Sequence, residues 1–277
     1  MELAYSFFHI FLTSLIQLFS LLGVIILVGF LLGYLESLTR TYWTSAFGRK
    51  GFLLSAWIGV PIHELGHAIM CVVFRHQIIA MQLFPTNTNN GYLGYVRHQY
   101  NQRSIYQRIG NFFIGIAPIF SGMAALILLM YYFVPQSYSV FIHALETNTQ
   151  STSINIDMLQ SIVSSSFLLL KSLFTIHNLS TPSFWLFLFI AICMSAHIAL
   201  SKPDIEGSLD GVITIFIVLI LFNTIARLFH YDSNQLIGNV VKYNMYVLAF
   251  SSIAILFSCI AVCISFICYK IKTASSR

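Results

Sequence analysis

A chain can cross a lipid bilayer only as a helix or a closed barrel, because hydrocarbon offers no partner to backbone N–H and C=O groups. Residues 7–36 bring that limit to bear on this sequence: they hold a single formal charge, Glu36, at their last position. A helix needs about 20 apolar residues to cross the ~30 Å hydrocarbon layer. Five further runs, 51–74, 110–133, 183–200, 211–230 and 243–268, read the same way. Hydrophobic residues make up 57% of the 277 and charged residues 8%, against about 25% charged in a soluble domain. The expected fold is an all-α polytopic membrane protein with about six transmembrane helices, residues 1–277 forming one membrane-embedded domain. The opening "MELAYSFFHI" has one acid and no base, and no small-residue cleavage site follows the apolar run, so the first run is expected to be a retained span.

The net charge of +5 does not point to nucleic acid, because the basic residues sit between spans, where they report orientation. Six alternating spans put both termini on one side with Arg75, Arg97, Arg103, Arg108, Lys202, Lys270, Lys272 and Arg277, and that side is expected to be cytoplasmic. The loop 37–50, "SLTRTYWTSAFGRK", is the misfit, with Arg40, Arg49 and Lys50 on the other face. Residues 134–182 are expected to form an exterior loop with an interfacial helix. The five cysteines fall within or at the ends of apolar runs without paired spacing, as buried reduced thiols do.

Within the second run lies "PIHELGHAIM", residues 61–70. Residues four apart on a helix differ by about 40° around its axis, so His63 and His67 share a face and can bind one metal ion. Glu64 is turned about 100° from His63, close enough to reach a water on that metal without ligating it. A metal so held lowers the pKa of its water toward ~7, and the carboxylate takes the proton as the water attacks a carbonyl. Ionisable groups at membrane depth are costly, which favours a function over chance. The bland alternative is a pair of core histidines with Glu64 as counter-ion.

Catalytic zinc usually takes three protein ligands. The acidic connection "HIALSKPDIEGSLDGV", 197–212, offers Asp204, Glu206 and Asp210, any one of which could instead cap the next helix. Between these motifs, "IIAMQLF" (78–84) and "GYLGYVRH", up to His98, flank the turn formers "PTNTNNG" and predict a β-hairpin. Its edge could receive an unwound peptide by strand addition, with Ile78, Ile79, Ala80, Met81 and Gln82 as the substrate strand. The alternative is a hairpin that only covers the entrance.

"HELGH" on an apolar helix, then "FRHQIIAMQLFP" (74–85), "GIAPIFSG" (115–122) and an Asp-Gly stretch opening a later helix, resembles the site-2 protease family of intramembrane zinc metalloproteases. The resemblance covers most of 51–230 and implies one Zn2+ per chain, a catalytic core over about 51–230, and a membrane-spanning or hydrophobic peptide as substrate. Leu209, Asp210 and Gly211 spell the family's "LDG", whereas "PDI" at 203–205 resembles a branch with its Asp in that position; Asp204 is taken as third ligand with Asp210 as the alternative. The family's Asn before the Pro is missing, and His197 or Ser201 stands in its neighbourhood as a candidate support for the site.

Two function classes follow. One is a zinc metalloendopeptidase with Glu64 as general base, in a bacterial cytoplasmic membrane; the other is a non-catalytic metal-binding scaffold or pseudoprotease of the same shape. A scaffold has no use for Glu64, which favours the enzyme.

Overall fold

The computed structural model describes residues 2–85, 93–149, 156–229 and 231–275. The chain opens with a helical run of 72 residues, α1 (Glu2–Val73), broken at Gly48, where φ is 69° and ψ −171°. Glycine adopts that left-handed backbone without penalty. The break separates α1a (Tyr5–Gly48) from α1b (Gly51–Val73). The loop expected at 37–50 is therefore helix almost throughout: residues 37–47 contain neither Gly nor Pro to stop it.

A two-stranded antiparallel sheet follows, β1 (Gln77–Gln82) and β2 (Tyr95–Gln99), with Ile78 opposite His98, Ala80 opposite Arg97, and a bulge between Ile78 and Ala80. The predicted turn falls mostly in 86–92, outside the described residues. Then come α2 (Ile105–Phe133), α3 (Pro135–Thr149), α4 (Ile156–Leu173), the single turn α5 (Ile176–Leu179), α6 (Pro182–Ser195), α7 (Lys202–Leu228), α8 (Ser233–Val241) and α9 (Asn244–Ser275).

Six helical runs are long and apolar enough to cross a membrane, as an all-α polytopic membrane protein requires. They are not the six expected. The 183–200 segment forms only the 14-residue α6, about 21 Å long, and then runs non-helically through 196–201 into the site. The 18-residue α4 lies instead in the stretch read as an exterior loop. Its serines kept the apolar run from standing out, yet Ser166 and Ser172 donate to carbonyls of their own helix, at Ile162 and Leu169, which lowers the cost of burying them.

Among apolar side chains in lipid no hydrophobic force drives helix against helix, so close packing and polar contacts must do it. Gly66 of α1b meets Ser121 and Ala117 of α2, and Gly115 of α2 meets Ser208 and the Asp204 carbonyl of α7; in each case an added Cβ would lie within 3.0 Å of its neighbour. At the far end of α7, Asn223 donates to Ser14 and Gln17 of α1a, both at 2.8 Å, and accepts from Ser233 of α8. Around these contacts Ile119, Leu126, Phe187, Ala254 and Phe257 form the buried centre. α9 lies parallel to α1a: Asn244 donates to the Ser20 carbonyl and Lys272 reaches that of Ser45. The first and last helices therefore point the same way, so their free ends lie at opposite ends of that pair. An even count of alternating spans would have put both on one face.

Candidate metal centre

His63 and His67 project from one face of α1b, and each uses its Nδ1 on a backbone carbonyl. His63 Nδ1 lies 2.9 Å from the His197 oxygen, and His67 Nδ1 lies 2.8 Å from the Ile114 oxygen. A carbonyl only accepts, so both Nδ1 atoms carry hydrogen, which leaves the two Nε2 atoms, 3.2 Å apart, as the ring positions that can ligate a metal. The Ile114 carbonyl is available because the residue four positions on is Pro118, which has no N–H to give it. The His197 carbonyl belongs to the non-helical link between α6 and α7.

Asp204 completes the cluster from the first turn of α7. Ser201 and Asp204 form a capping box: the Ser201 N–H donates to Asp204 Oδ2 at 2.7 Å, and the Ser201 hydroxyl accepts from the Asp204 N–H. The cap locks the carboxylate with Oδ1 3.1 Å from His67 Nε2 and Oδ2 3.4 Å from His63 Nε2. One side chain thus both caps α7 and faces the histidines.

Nitrogen lone pairs and a carboxylate turned toward one another repel unless a proton or a cation lies between them. Ligand atoms on bonds of about 2.0–2.1 Å at tetrahedral angles stand about 3.3 Å apart; here the two Nε2 atoms are 3.2 Å apart and each meets a different Asp204 oxygen, at 3.1 and 3.4 Å, with one ligand atom from each residue lying within 4.8 Å of the others. Two imidazoles and a carboxylate this close are a donor set that could hold a divalent ion, and these three residues form the one group of its kind among the described residues.

Glu64 is buried beside the cluster but outside it. It lines two clefts, of about 430 and 550 Å³, that meet there. His67, Asp204 and the β2 residues Tyr95, Val96 and His98 border the first; His63, Glu36, Arg40 and Leu93 border the second. Gly94 lies directly on Glu64: a Cβ there would come within 2.8 Å of Glu64 Cγ and 2.5 Å of Val60 Cγ1.

Asp210, the alternative ligand, is engaged elsewhere. Arg108 grips it from Nη2 at 2.7 Å and Nε at 3.2 Å, while Asn111 and the Tyr100 hydroxyl donate to Oδ2 at 3.0 and 3.1 Å. It ties the end of β2 and the start of α2 to α7. Glu206 pairs with Lys202 at the exposed surface. His197 serves through its carbonyl; its ring Nε2 meets the Ser55 hydroxyl at 3.1 Å, and burial pushes its pKa down to about 3, so it stays neutral. Ser201 acts through the cap.

Ile78–Gln82 form β1 as expected, but β1 does not border the first cleft; β2 does. The two segments are alike in β-branched and aromatic content, which could not tell which strand borders the cleft. The signal that could have done so is Gly94, a glycine within a strand-like run, which marks a close backbone approach. Arg108, Asn111 and Tyr100 carried no such signal, since their partner lies about a hundred residues away. Comparison of the chain with protein-family models, with curated proteins and with solved structures returns no match.

Proposed function

We propose that the protein is an intramembrane zinc metalloprotease of the site-2 protease type, with one zinc ion on His63, His67 and Asp204, that hydrolyses a peptide bond in or near a transmembrane segment or hydrophobic peptide. The observation that supports this reading is the convergence of His63 Nε2, His67 Nε2 and the Asp204 carboxylate, with Nε2–oxygen distances of 3.1 and 3.4 Å, and Glu64 beside them. Zinc bound there supplies a Lewis acid and an acidified water. Glu64 takes the proton from the attacking water and passes it to the leaving amine. The two backbone carbonyls hold both imidazoles in the tautomer that ligates, and the Ser201 cap holds the carboxylate.

A substrate helix in lipid has its carbonyls bonded internally, so no amide is open to attack until the helix unwinds. The edge of β2 that carries no strand among the described residues offers the unwound peptide replacement hydrogen bonds beside Glu64. The bases Arg75, Arg97, Arg103 and Arg108 around the hairpin support reading this end of the molecule as the cytoplasmic one.

The test is elemental analysis of the purified protein together with cleavage of a reconstituted single-span peptide. Near one zinc per chain, lost in His67→Ala and Asp204→Ala, kept in Glu64→Gln, with cleavage by wild type alone, supports the protease. Zinc without cleavage leaves a metal-binding scaffold, and no zinc in wild type removes the reading.

A further inference from the structure

His98 borders the same cleft as Glu64 and His67 yet belongs neither to the donor set nor to the proton transfer. Its hydrogen bonds determine which of its nitrogens is free. His76 Nε2 lies 2.8 Å from the Gln107 carbonyl, so it carries hydrogen. Burial lowers the His76 pKa, the ring is neutral, and its Nδ1 is a lone pair. His98 Nδ1 lies 2.9 Å from that atom and must be the donor. Burial and the neighbouring imidazoles push His98 down to about 4, so it too is neutral and its Nε2 is a bare acceptor. No described residue donates to that Nε2. Tyr100, stacked on His76 with ring centroids 5.1 Å apart and itself bonded to Asp210, braces the pair.

Side chains alternate along a strand, so Gly94, Val96 and His98 share the face that meets Glu64. On one side His98 is paired with Ile78 of β1, and the other edge of β2 carries no strand among the described residues. A peptide strand joining that edge sets one of its side chains directly beside His98, with Cβ atoms about 4.5–5.5 Å apart.

We propose that His98 is a specificity residue, its Nε2 accepting a hydrogen bond from a hydroxyl or carboxamide side chain of a peptide strand paired with β2. This rests on the protease reading for the peptide nature of the ligand. An apolar side chain at that position leaves Nε2 unpaired once water is displaced, and a carboxylate sets a second acceptor against it.

The experiment uses the full chain in lipid nanodiscs with Glu64→Gln, which holds a peptide without cutting it. The probes are valine-rich peptides with one threonine moved through every position, against the all-valine peptide. One threonine position should tighten binding about three- to tenfold, and aspartate at that position should bind more weakly than valine. His98→Phe, which keeps the ring and its packing on His76, should abolish the threonine gain and leave the affinity for the all-valine peptide unchanged. A threonine preference that survives His98→Phe overturns the proposal. So does the absence of any favoured position, or of any peptide binding, and if His98→Phe does not fold, aspartate binding as well as threonine overturns it. The readout is binding, so an enzyme that binds with this preference but never cuts would refute the protease reading and leave the role of His98 standing.

Discussion

Pro118 stands one helical turn after Ile114 and leaves the Ile114 carbonyl without a helical donor, and that carbonyl accepts the His67 Nδ1 hydrogen at 2.8 Å. A missing backbone N–H in α2 thus sets the tautomer of a side chain on α1b. Pro118→Ala would restore a competing N–H at position 118 and weaken the hold on His67. Zinc affinity is expected to fall about tenfold or more while α2 keeps its helicity, as checked by competition with a zinc chelator and by circular dichroism.

Glu64→Gln is expected to retain zinc and to lose peptide hydrolysis by about 10²–10⁴-fold. The variant removes a proton acceptor without touching the three donor atoms. Single-turnover assays with matched zinc content would show it; activity within threefold of wild type would exclude Glu64 as the base.

Asp204 and Asp210 are expected to separate cleanly. Asp204→Asn should release zinc, whereas Asp210→Asn should keep zinc and modestly loosen the junction of β2, α2 and α7, since its pair with Arg108 is partly exposed and screened by solvent. Metal content distinguishes the two, and faster amide exchange in 95–100 reports the second. Equal zinc loss in both variants would contradict the separate roles assigned here.

The histidines of the hairpin predict an acid dependence of the metal-free protein. His98 and His76 are held neutral, with pKa values below the ordinary 6.5 and that of His98 at about 4. In this pH window the unfolded chain binds protons that the folded chain refuses. The stability that the neutral rings contribute is therefore complete above pH 6.5 and is lost as pH falls from 6.5 toward 4. Thermal unfolding of chelated protein across that range should show a decline, and His98→Phe should flatten it.

The sequence made the membrane class legible because long apolar runs have only one way to satisfy their backbone in lipid, and it made His63, Glu64 and His67 legible because their spacing is a property of one helix. It also narrowed the third donor to a short acidic connection. It could not separate Asp204 from Asp210, since either could precede or open α7; the separation came from Ser201 capping one and from Arg108, Asn111 and Tyr100 holding the other. Nor could it place α4 among the long apolar helices, because serines that bond within their own helix look polar in a hydropathy count.

Local chemistry, then, was settled by the sequence alone: that a chain of long apolar runs must be helical in lipid, and which helix carries two imidazoles and a carboxylate. Tertiary structure decided everything that depends on two distant segments meeting: the carbonyls that orient the histidines, the aspartate that faces them, and the strand that lies on Glu64. The physical reason is range. Helix geometry acts over about four residues, whereas the contact between His67 and Asp204 joins residues on α1b and α7 that only packing brings within 3.1 Å.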